Sequence, residues 1–555
     1  LKRVRRPKIM ILQLAIFLVA AAPLAAASLT YKAAIVELPA VYGNSAADTR
    51  RLSVNESLRY ARDAKRAGAQ IIVFPEYGIT GFTDSTRDAY LQSLEQIPEP
   101  NGDVPCDNTS RYQLAPSIVS LSCGARDHGI AIVAGMGDLV HCPSADLSRS
   151  CASSRGGRLQ FNTVVAFDTD GRFAAKHHKQ NLWGEDAYVD VPQECRTATF
   201  RASFGVTFGL FICADVIHDF PAEEMVRAGV RNFVSPIAWS NDMAQMQAMS
   251  WHQGWSLRNC ANVLFSNYPW QTGPGVGSSG SGIISCGRAL ASHYTVGSGP
   301  GPLLVAELDA APPPAAATPA NTPLQATSRS GSAGWKLAPL QAGRVCSDRV
   351  CCTASNVEGS TDGYALGALD GFDGGCGFNQ VCNYPSLNWP AEVCALLACP
   401  SPTGSCLQYQ IVDSSLGGHG PLRRVRLDVT LSTPVAVYPH VLASQCSPSP
   451  CPNEQVLLAP GPGFSFSQDG ATATLQVNLS SGDALTSAIL YGRRYGSAYE
   501  SLGYTCPSAA PQPAQQFSMA AAKARIAGSL LLSLAAAFVQ AGAGGEAARP
   551  RARTG

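Results

Sequence analysis

Apolar positions follow two rhythms between residues 30 and 308. Short runs of aliphatic and β-branched residues alternate with stretches in which apolar side chains return every three to four positions. Tyr31 to Leu38 reads as a strand. Leu52 to Ala69 reads as an amphipathic helix with Leu58, Ala61 and Ala64 toward one face, and Gln70 to Phe74 as the next strand. A helix near Leu114 to His128 precedes a strand over Ile130 to Met136. Asn162 to Phe167 and Phe173 to Lys176 flank Asp168-Thr169-Asp170-Gly171, which predicts a hairpin turn. Thr207 to Cys213 reads as one continuous apolar strand. Pro221 to Gly229 reads as a short helix with Glu223 and Glu224 in its first turn. Strands over Asn232 to Ile237, Val263 to Asn267 and Leu303 to Leu308, with a helix over Met243 to Asn259, complete the set. Strands alternating with helices, and apolar enough to be covered on both faces, predict a layered α/β domain over residues 29–308. In such folds, sites form on the loops at strand ends.

The rhythm stops at residues 309–344, which are rich in Pro, Ala, Ser and Thr and read as a linker. Residues 345–510 are dense in cysteine and hold β-like runs such as Val425 to Leu431 and Ala473 to Val477. They predict a smaller, disulfide-stapled β-rich domain. Of nineteen cysteines, eight precede residue 300 and eleven follow residue 340, which points to an oxidising compartment. The odd total leaves at least one thiol over if the rest pair. Hydrophobic content of 46%, charged content of 15% and a net charge of +1 allow a large core and give no footprint for nucleic acid.

Both ends carry apolar runs. Lys2, Arg3, Arg5, Arg6 and Lys8 precede a run from Ile9 to about Ala27 that ends in Ala25-Ala26-Ala27-Ser28, the pattern of a signal peptide over residues 1–28, with an uncleaved anchor as the alternative. Within residues 511–555, small residues and Lys523 and Arg525 precede an apolar stretch from Ile526 to Val539. This resembles a signal for glycosylphosphatidylinositol attachment; a marginal transmembrane helix is the alternative, short of the ~20 apolar residues a span needs. The sequons at Asn55, Asn108 and Asn478 agree with secretion.

Three residues at or just past apolar runs could share one chemistry. Glu76 ends Ile71-Ile72-Val73-Phe74-Pro75-Glu76, Lys179 lies in His177-His178-Lys179-Gln180-Asn181-Leu182-Trp183, and Cys213 ends Phe208-Gly209-Leu210-Phe211-Ile212-Cys213. Hydrolysis of an unactivated amide needs a strong nucleophile, a proton carrier and a cation for the oxyanion, and a thiol, a carboxylate and an ammonium supply them. Taken singly, each has an ordinary alternative: a half-cystine, a loop carboxylate and a surface cation.

Phe74-Pro75-Glu76-Tyr77-Gly78, His178-Lys179-Gln180-Asn181-Leu182 and Cys213-Ala214-Asp215 resemble, in order, the three catalytic motifs of the nitrilase superfamily. The likeness is nearest to its vanin (pantetheinase) and biotinidase branch. Ala238-Trp239, Ser266-Asn267 and Gly280-Ser281-Gly282-Ile283 extend it. Beyond the linker, Tyr364-Ala365-Leu366-Gly367-Ala368-Leu369-Asp370-Gly371 and Val393-Cys394-Ala395-Leu396-Leu397-Ala398-Cys399 are similar to the same branch. The resemblance implies a nitrilase-like α-β-β-α sandwich followed by a vanin-type C-terminal domain. It also implies an extracellular amidohydrolase that needs no cofactor or metal and takes a small-molecule amide, with a possible lipid anchor as its membrane partner. Pantetheine is the expected substrate, and biocytin or a non-catalytic surface role are the alternatives. Glu76 then serves as acid and base, Lys179 as the oxyanion cation and Cys213 as the nucleophile. Glu185 stands as a possible second glutamate, one residue nearer the lysine than in vanins. Tyr77, Gln180 and Ala214 stand where the branch usually carries Asp, Tyr and Phe, which implies a differently shaped pocket.

Other features point to structure. His177 and His178 lack companions at zinc spacing, Cys351-Cys352 fits a disulfide framework, and Trp251 and Trp255 at i, i+4 spacing fit core packing. The run Gly273 to Gly282 lacks the lysine of a phosphate-binding loop.

Overall fold

The computed structural model describes residues 29–82, 86–142, 151, 154–241, 245–273, 276–295, 299–312, 334–374, 388–398, 422–432, 435–445, 455–457, 463–479 and 483–493. The expected signal peptide, the expected lipid-attachment segment and residues 313–333 of the expected linker lie outside them.

The first half runs β1 (Thr30–Val36), α1 (Ala46–Arg66), β2 (Ile71–Val73), α2 (Arg87–Leu91), α3 (Pro116–His128), β3 (Ala131–His141), β4 (Arg158–Phe167), β5 (Phe173–His178), β6 (Ala198–Arg201) and β7 (Thr207–Leu210). It continues through α4 (Glu224–Arg227), β8 (Asn232–Ile237), α5 (Ala248–Asn259), β9 (Asn262–Asn267), a ribbon of β10 (Trp270–Gly273) and β11 (Val276–Ser278), β12 (Ser281–Ser285), β13 (Arg288–His293) and β14 (Leu303–Asp309). Two six-stranded sheets form, in the orders β14-β1-β2-β3-β4-β5 and β13-β12-β9-β8-β7-β6. The central strands β1, β2 and β3 are parallel in one sheet, and β7, β8 and β9 in the other.

Period-2 geometry sorts the first sheet's side chains into two cores. Ala33, Ile35, Ile71, Val73, Ala131 and Val133 face the second sheet and pack with Phe208, Leu210, Val234 and Leu264. Their neighbours Ala34, Val36, Ile72, Ile132 and Ala134 face outward onto Val54, Ala61 and Ala64 of α1 and Ile118, Leu121 and Ala125 of α3. Trp251 and Trp255 of α5 cover the outer face of the second sheet, which completes the α-β-β-α sandwich.

The second half is a β domain. Its first sheet runs β15-β18-β19-β25-β21-β22, built from β15 (Lys336–Pro339), β18 (Tyr364–Gly374), β19 (Asn388–Ala398), β21 (Ala436–Gln445), β22 (Gln455–Leu457) and β25 (Asp483–Arg493). The second runs β16-β17-β20-β24-β23, built from β16 (Arg344–Ser347), β17 (Val350–Gly359), β20 (Leu422–Thr430), β23 (Phe464–Asp469) and β24 (Thr472–Asn478). Alternation again divides the labour: Leu366, Cys394, Leu396, Ala488 and Leu490 pack against the second sheet. Leu369, Val393, Ala395, Ile489 and Tyr491 turn the other way and join the core of the first half at α5. The approach is close: a Cβ on Gly254 of α5 would lie 2.5 Å from the Pro439 carbonyl oxygen. Cys346–Cys351 and Cys352–Cys394 staple this domain, and Cys106–Cys123, Cys142–Cys151 and Cys260–Cys286 staple the first.

Several boundaries differ from the pattern-based expectation. α1 starts at Ala46 rather than Leu52, because the Ser45 hydroxyl accepts from the Asp48 N–H at 3.1 Å and caps a polar first turn. Lys336–Pro339, expected in the linker, is the edge strand β15 paired with β18. Of the helix expected over Pro221 to Gly229, only Glu224–Arg227 is α-helical. A π-turn at Asp219–Glu223, broken by an extended Phe220, precedes it. The strand expected to reach Cys213 stops at Leu210, and Cys213 opens a 3-10 turn, Cys213–Ile217.

Candidate active site

Three loops meet at one end of the sheets. β2 delivers Glu76, β5 delivers Lys179 directly after His178, and the segment after β7 delivers Cys213. Relative exposures of 1%, 2% and 5% make this a buried cluster of ionisable groups, rare without a function. Two backbone features bring the loops together. Gly135 on β3 lets the Glu76 turn lie against it, since a Cβ there would sit 2.5 Å from the Pro75 carbonyl oxygen and 2.6 Å from the Glu76 Cα. Cys213 itself adopts a left-handed φ of 47°, uncommon for a residue with a side chain and typical of strained functional turns.

Lys179 joins the carboxylates. Its Nζ donates to Glu76 Oε1 at 2.9 Å and to Glu185 Oε1 and Oε2 at 2.8 and 3.1 Å. The Asn162 amide on β4 bridges the same pair, donating to Glu76 Oε1 at 2.6 Å and Glu185 Oε1 at 3.1 Å. Glu76 Oε2 is buried and accepts no hydrogen bond. Burial raises the Glu76 pKa, the Lys179 charge opposes that, and the like charge of Glu185 adds to it. For Lys179 burial disfavours the ammonium, but Glu185, Glu76 and Cys213 together hold its pKa well above the ordinary value. Burial first, then the charge of Glu76, push the Cys213 thiol well up, while the Lys179 charge and the Ala238 N–H pull it down. Burial thus favours the neutral thiol over the thiolate, next to a Glu76 oxygen that is left to accept a proton.

Asp215 fastens the cysteine turn to the lysine loop. One oxygen accepts from the N–H groups of Gln180 and Asn181 and from the Asn181 side-chain amide, at 3.1, 2.9 and 2.9 Å. The other accepts from the Ile212 N–H at 3.0 Å and pairs with His177 Nε2 at 3.1 Å. His178, on the opposite face of β5, pairs with Asp138 at 2.8 Å. Both histidines thus serve buried carboxylates.

Tyr77 packs beside Phe82 and Tyr90, with ring centroids 4.7 and 6.4 Å away, in an aromatic group next to Glu76 that also holds Tyr268 and Trp270. Ala214 is buried, and the Gln180 backbone is engaged by Asp215.

All four expected site residues, Glu76, Lys179, Cys213 and Glu185, converge. The expected glycosylation positions lie apart: Asn55 is exposed on α1, Asn478 is exposed on β24, and Asn108 is half-buried with its amide donating to Asp103 at 3.1 Å. Among the described residues Cys213 is the only cysteine outside a disulfide. Pattern reading gave no role to Asn162 or Asp215. Asp215 carried a signal, a carboxylate two residues past the thiol in an otherwise apolar segment; Asn162 carried none beyond its place in a strand.

The carbon-nitrogen hydrolase family profile matches residues 32–288. The chain is 32% identical to a pantetheinase of Bos taurus over 457 residues, covering 78% of this chain and 81% of that one. It is 32% identical to a pantetheinase of Homo sapiens, covering 77% and 80%, and 30% identical to a biotinidase of Takifugu rubripes, covering 78% and 86%. An amidase from Nesterenkonia sp. is similar in structure, with a TM-score of 0.36 and 22% identity over 51% of this chain and 91% of that one. With this geometry and relatives of matching length, the chain belongs to the carbon-nitrogen hydrolase (nitrilase) superfamily, in the branch of the pantetheinases and biotinidases.

Proposed function

We propose that this carbon-nitrogen hydrolase cleaves pantetheine to pantothenate and cysteamine through a thioester on Cys213. The observation that carries the reading is the buried Lys179 ammonium held between Glu76 and Glu185 beside a cysteine that forms no disulfide. Glu76 takes the thiol proton as sulfur attacks the amide carbonyl. The Lys179 ammonium, with a backbone N–H beside Cys213, stabilises the oxyanion. Glu76 then gives its proton to the departing amine, and the C–N bond breaks to leave the thioester. A water enters, Glu76 takes one of its protons, and attack on the thioester releases the acid and restores the thiol. Glu185 and Asn162 hold Lys179 and Glu76 in register throughout.

Pantetheine is preferred because the pantetheinases match over most of both chains. Biocytin is the second reading, favoured by the Takifugu rubripes biotinidase at similar coverage. Disulfides in both halves of the chain support an oxidising, extracellular setting. No helix of the described residues is long and apolar enough to cross a membrane, and a lipid anchor is inferred from the C-terminal sequence alone. Release from cells by a phosphatidylinositol-specific phospholipase C tests the anchor.

The test of function is hydrolysis of pantetheine and biocytin side by side, with Cys213→Ala as control. Cysteamine release that is lost in the variant supports the reading. Preferential biotin release moves the substrate to biocytin, and full activity in Cys213→Ala overturns the mechanism.

A further inference from the structure

We infer that the C-terminal β domain completes the active site, with Arg493 and Trp389 as positioning residues for the two segments that carry Cys213 and Glu185. This rests on the reading of Cys213 as nucleophile.

Strand alternation places both residues on the face turned toward the catalytic half. On β25, Ile489, Tyr491 and Arg493 share that face. On β19, Trp389 lies two positions beyond Ala391, the cross-strand partner of Arg493. Both side chains are fully buried. Arg493 Nε donates to the carbonyl of Ile217 at 2.9 Å, and Nη1 donates to the carbonyl of Pro390 at 2.9 Å. Ile217 is the last residue of the 3-10 turn that Cys213 begins. The guanidinium therefore caps the far end of the cysteine turn while Asp215 holds its near end. A strained, left-handed Cys213 persists only where the surroundings over-determine it, and these are two such determinants.

Trp389 acts on the other segment. Its ring lies 5.3 Å from that of Trp183, which in turn lies 6.2 Å from Trp239. The Trp183 N–H donates to Glu185 Oε2 at 3.3 Å, and the Ala238 N–H, one residue before Trp239, faces the Cys213 thiol. Trp389 Nε1 donates to Tyr491 at 2.7 Å, and the Arg493 guanidinium lies over its ring at 5.8 Å, so the two residues brace each other. Arg493 presents two nitrogens of one rigid planar fork to the two carbonyls, a geometry that a lysine ammonium lacks.

The experiment uses the full-length protein and compares Arg493→Lys, Trp389→Phe, Cys213→Ala and Leu475→Ala. Leu475 is buried between the two C-terminal sheets, so its variant controls for a domain that is merely less stable. Each is assayed for kcat and KM on pantetheine and, in all but Cys213→Ala, which gives the background, for the rate of Cys213 alkylation by iodoacetamide across pH, with thermal melting to check folding. Displaced reacting groups predict that Arg493→Lys and Trp389→Phe lose roughly tenfold or more in kcat, with KM little changed. The alkylation profile should shift in parallel. Leu475→Ala should melt earlier yet keep the wild-type kcat and alkylation profile. Wild-type kcat and alkylation in folded Trp389→Phe, which keeps a ring in place and so decides the matter if Arg493→Lys fails to fold, together with an inactive Cys213→Ala, would overturn this inference alone. An active Cys213→Ala would overturn the reading beneath it as well.

Discussion

The carboxylate of Asp215 and the side-chain amide of Asn181, 2.9 Å apart, lock the cysteine turn to the lysine loop. Because Asp215 is wholly buried and accepts from backbone N–H groups on both segments, it is an electrostatic hub with no donor of its own. Asp215→Asn must turn an N–H toward at least one of these donors, whichever way the amide is placed. Leaving buried donors unsatisfied costs roughly 1–3 kcal/mol. The expected outcome is a lower melting midpoint and a roughly tenfold or greater drop in kcat, as the turn and loop drift apart. Denaturant unfolding and steady-state kinetics check both; wild-type kcat in a destabilised variant would confine Asp215 to stability.

Glu185 shapes the acid limb of the rate profile. Its charge raises the Glu76 pKa, and it shares the Lys179 ammonium with Glu76. Glu76 must be ionised to accept the thiol proton, so activity falls as pH drops through its pKa. Glu185→Gln removes the like charge, lowers the Glu76 pKa and moves the acid limb of kcat/KM to lower pH. A pH–rate profile decides the matter, and an unmoved or upward-shifted limb would refute the coupling.

How much of this was legible beforehand depends on what signal each element carries. Apolar runs ending in Glu76 and Cys213 stood out because central parallel strands are buried on both faces, whereas Glu185 followed only from the family resemblance, which implies a second glutamate shortly after the lysine. The same property hid β25: with Leu485 and the residues from Ala488 to Arg493 buried on both faces, it has no polar alternation to mark it as a strand. The end of β7 was misjudged because Phe211 and Ile212 stay apolar and buried after the backbone leaves the sheet. Asn162 gained its role from a partner 86 positions away, beyond the reach of any local pattern.

Acid should loosen the seam between the halves. His440 on β21 is buried against Trp251 of α5, with ring centroids 4.8 Å apart, and burial lowers its pKa from 6.5 to about 3. Folded, it stays neutral, while the unfolded chain protonates it below about pH 6.5. Its contribution is therefore present above 6.5 and is lost as pH falls toward 3, at roughly 1.4 kcal/mol per unit. His440→Phe should flatten the fall of stability across that window. Urea unfolding at a series of pH values tests this, and an unchanged slope would count against it.

The shared face between α5 and the C-terminal sheet also bears on the order of synthesis. A ribosome delivers the whole α-β-β-α sandwich first, with Trp251 bare, because Tyr438, His440 and Tyr491 are still to come. Until translation has passed Arg493, the nascent chain carries an uncovered aromatic surface beside an unbraced cysteine turn. Maturation is then a single late event, and a chain stopped early would be sticky and inactive together.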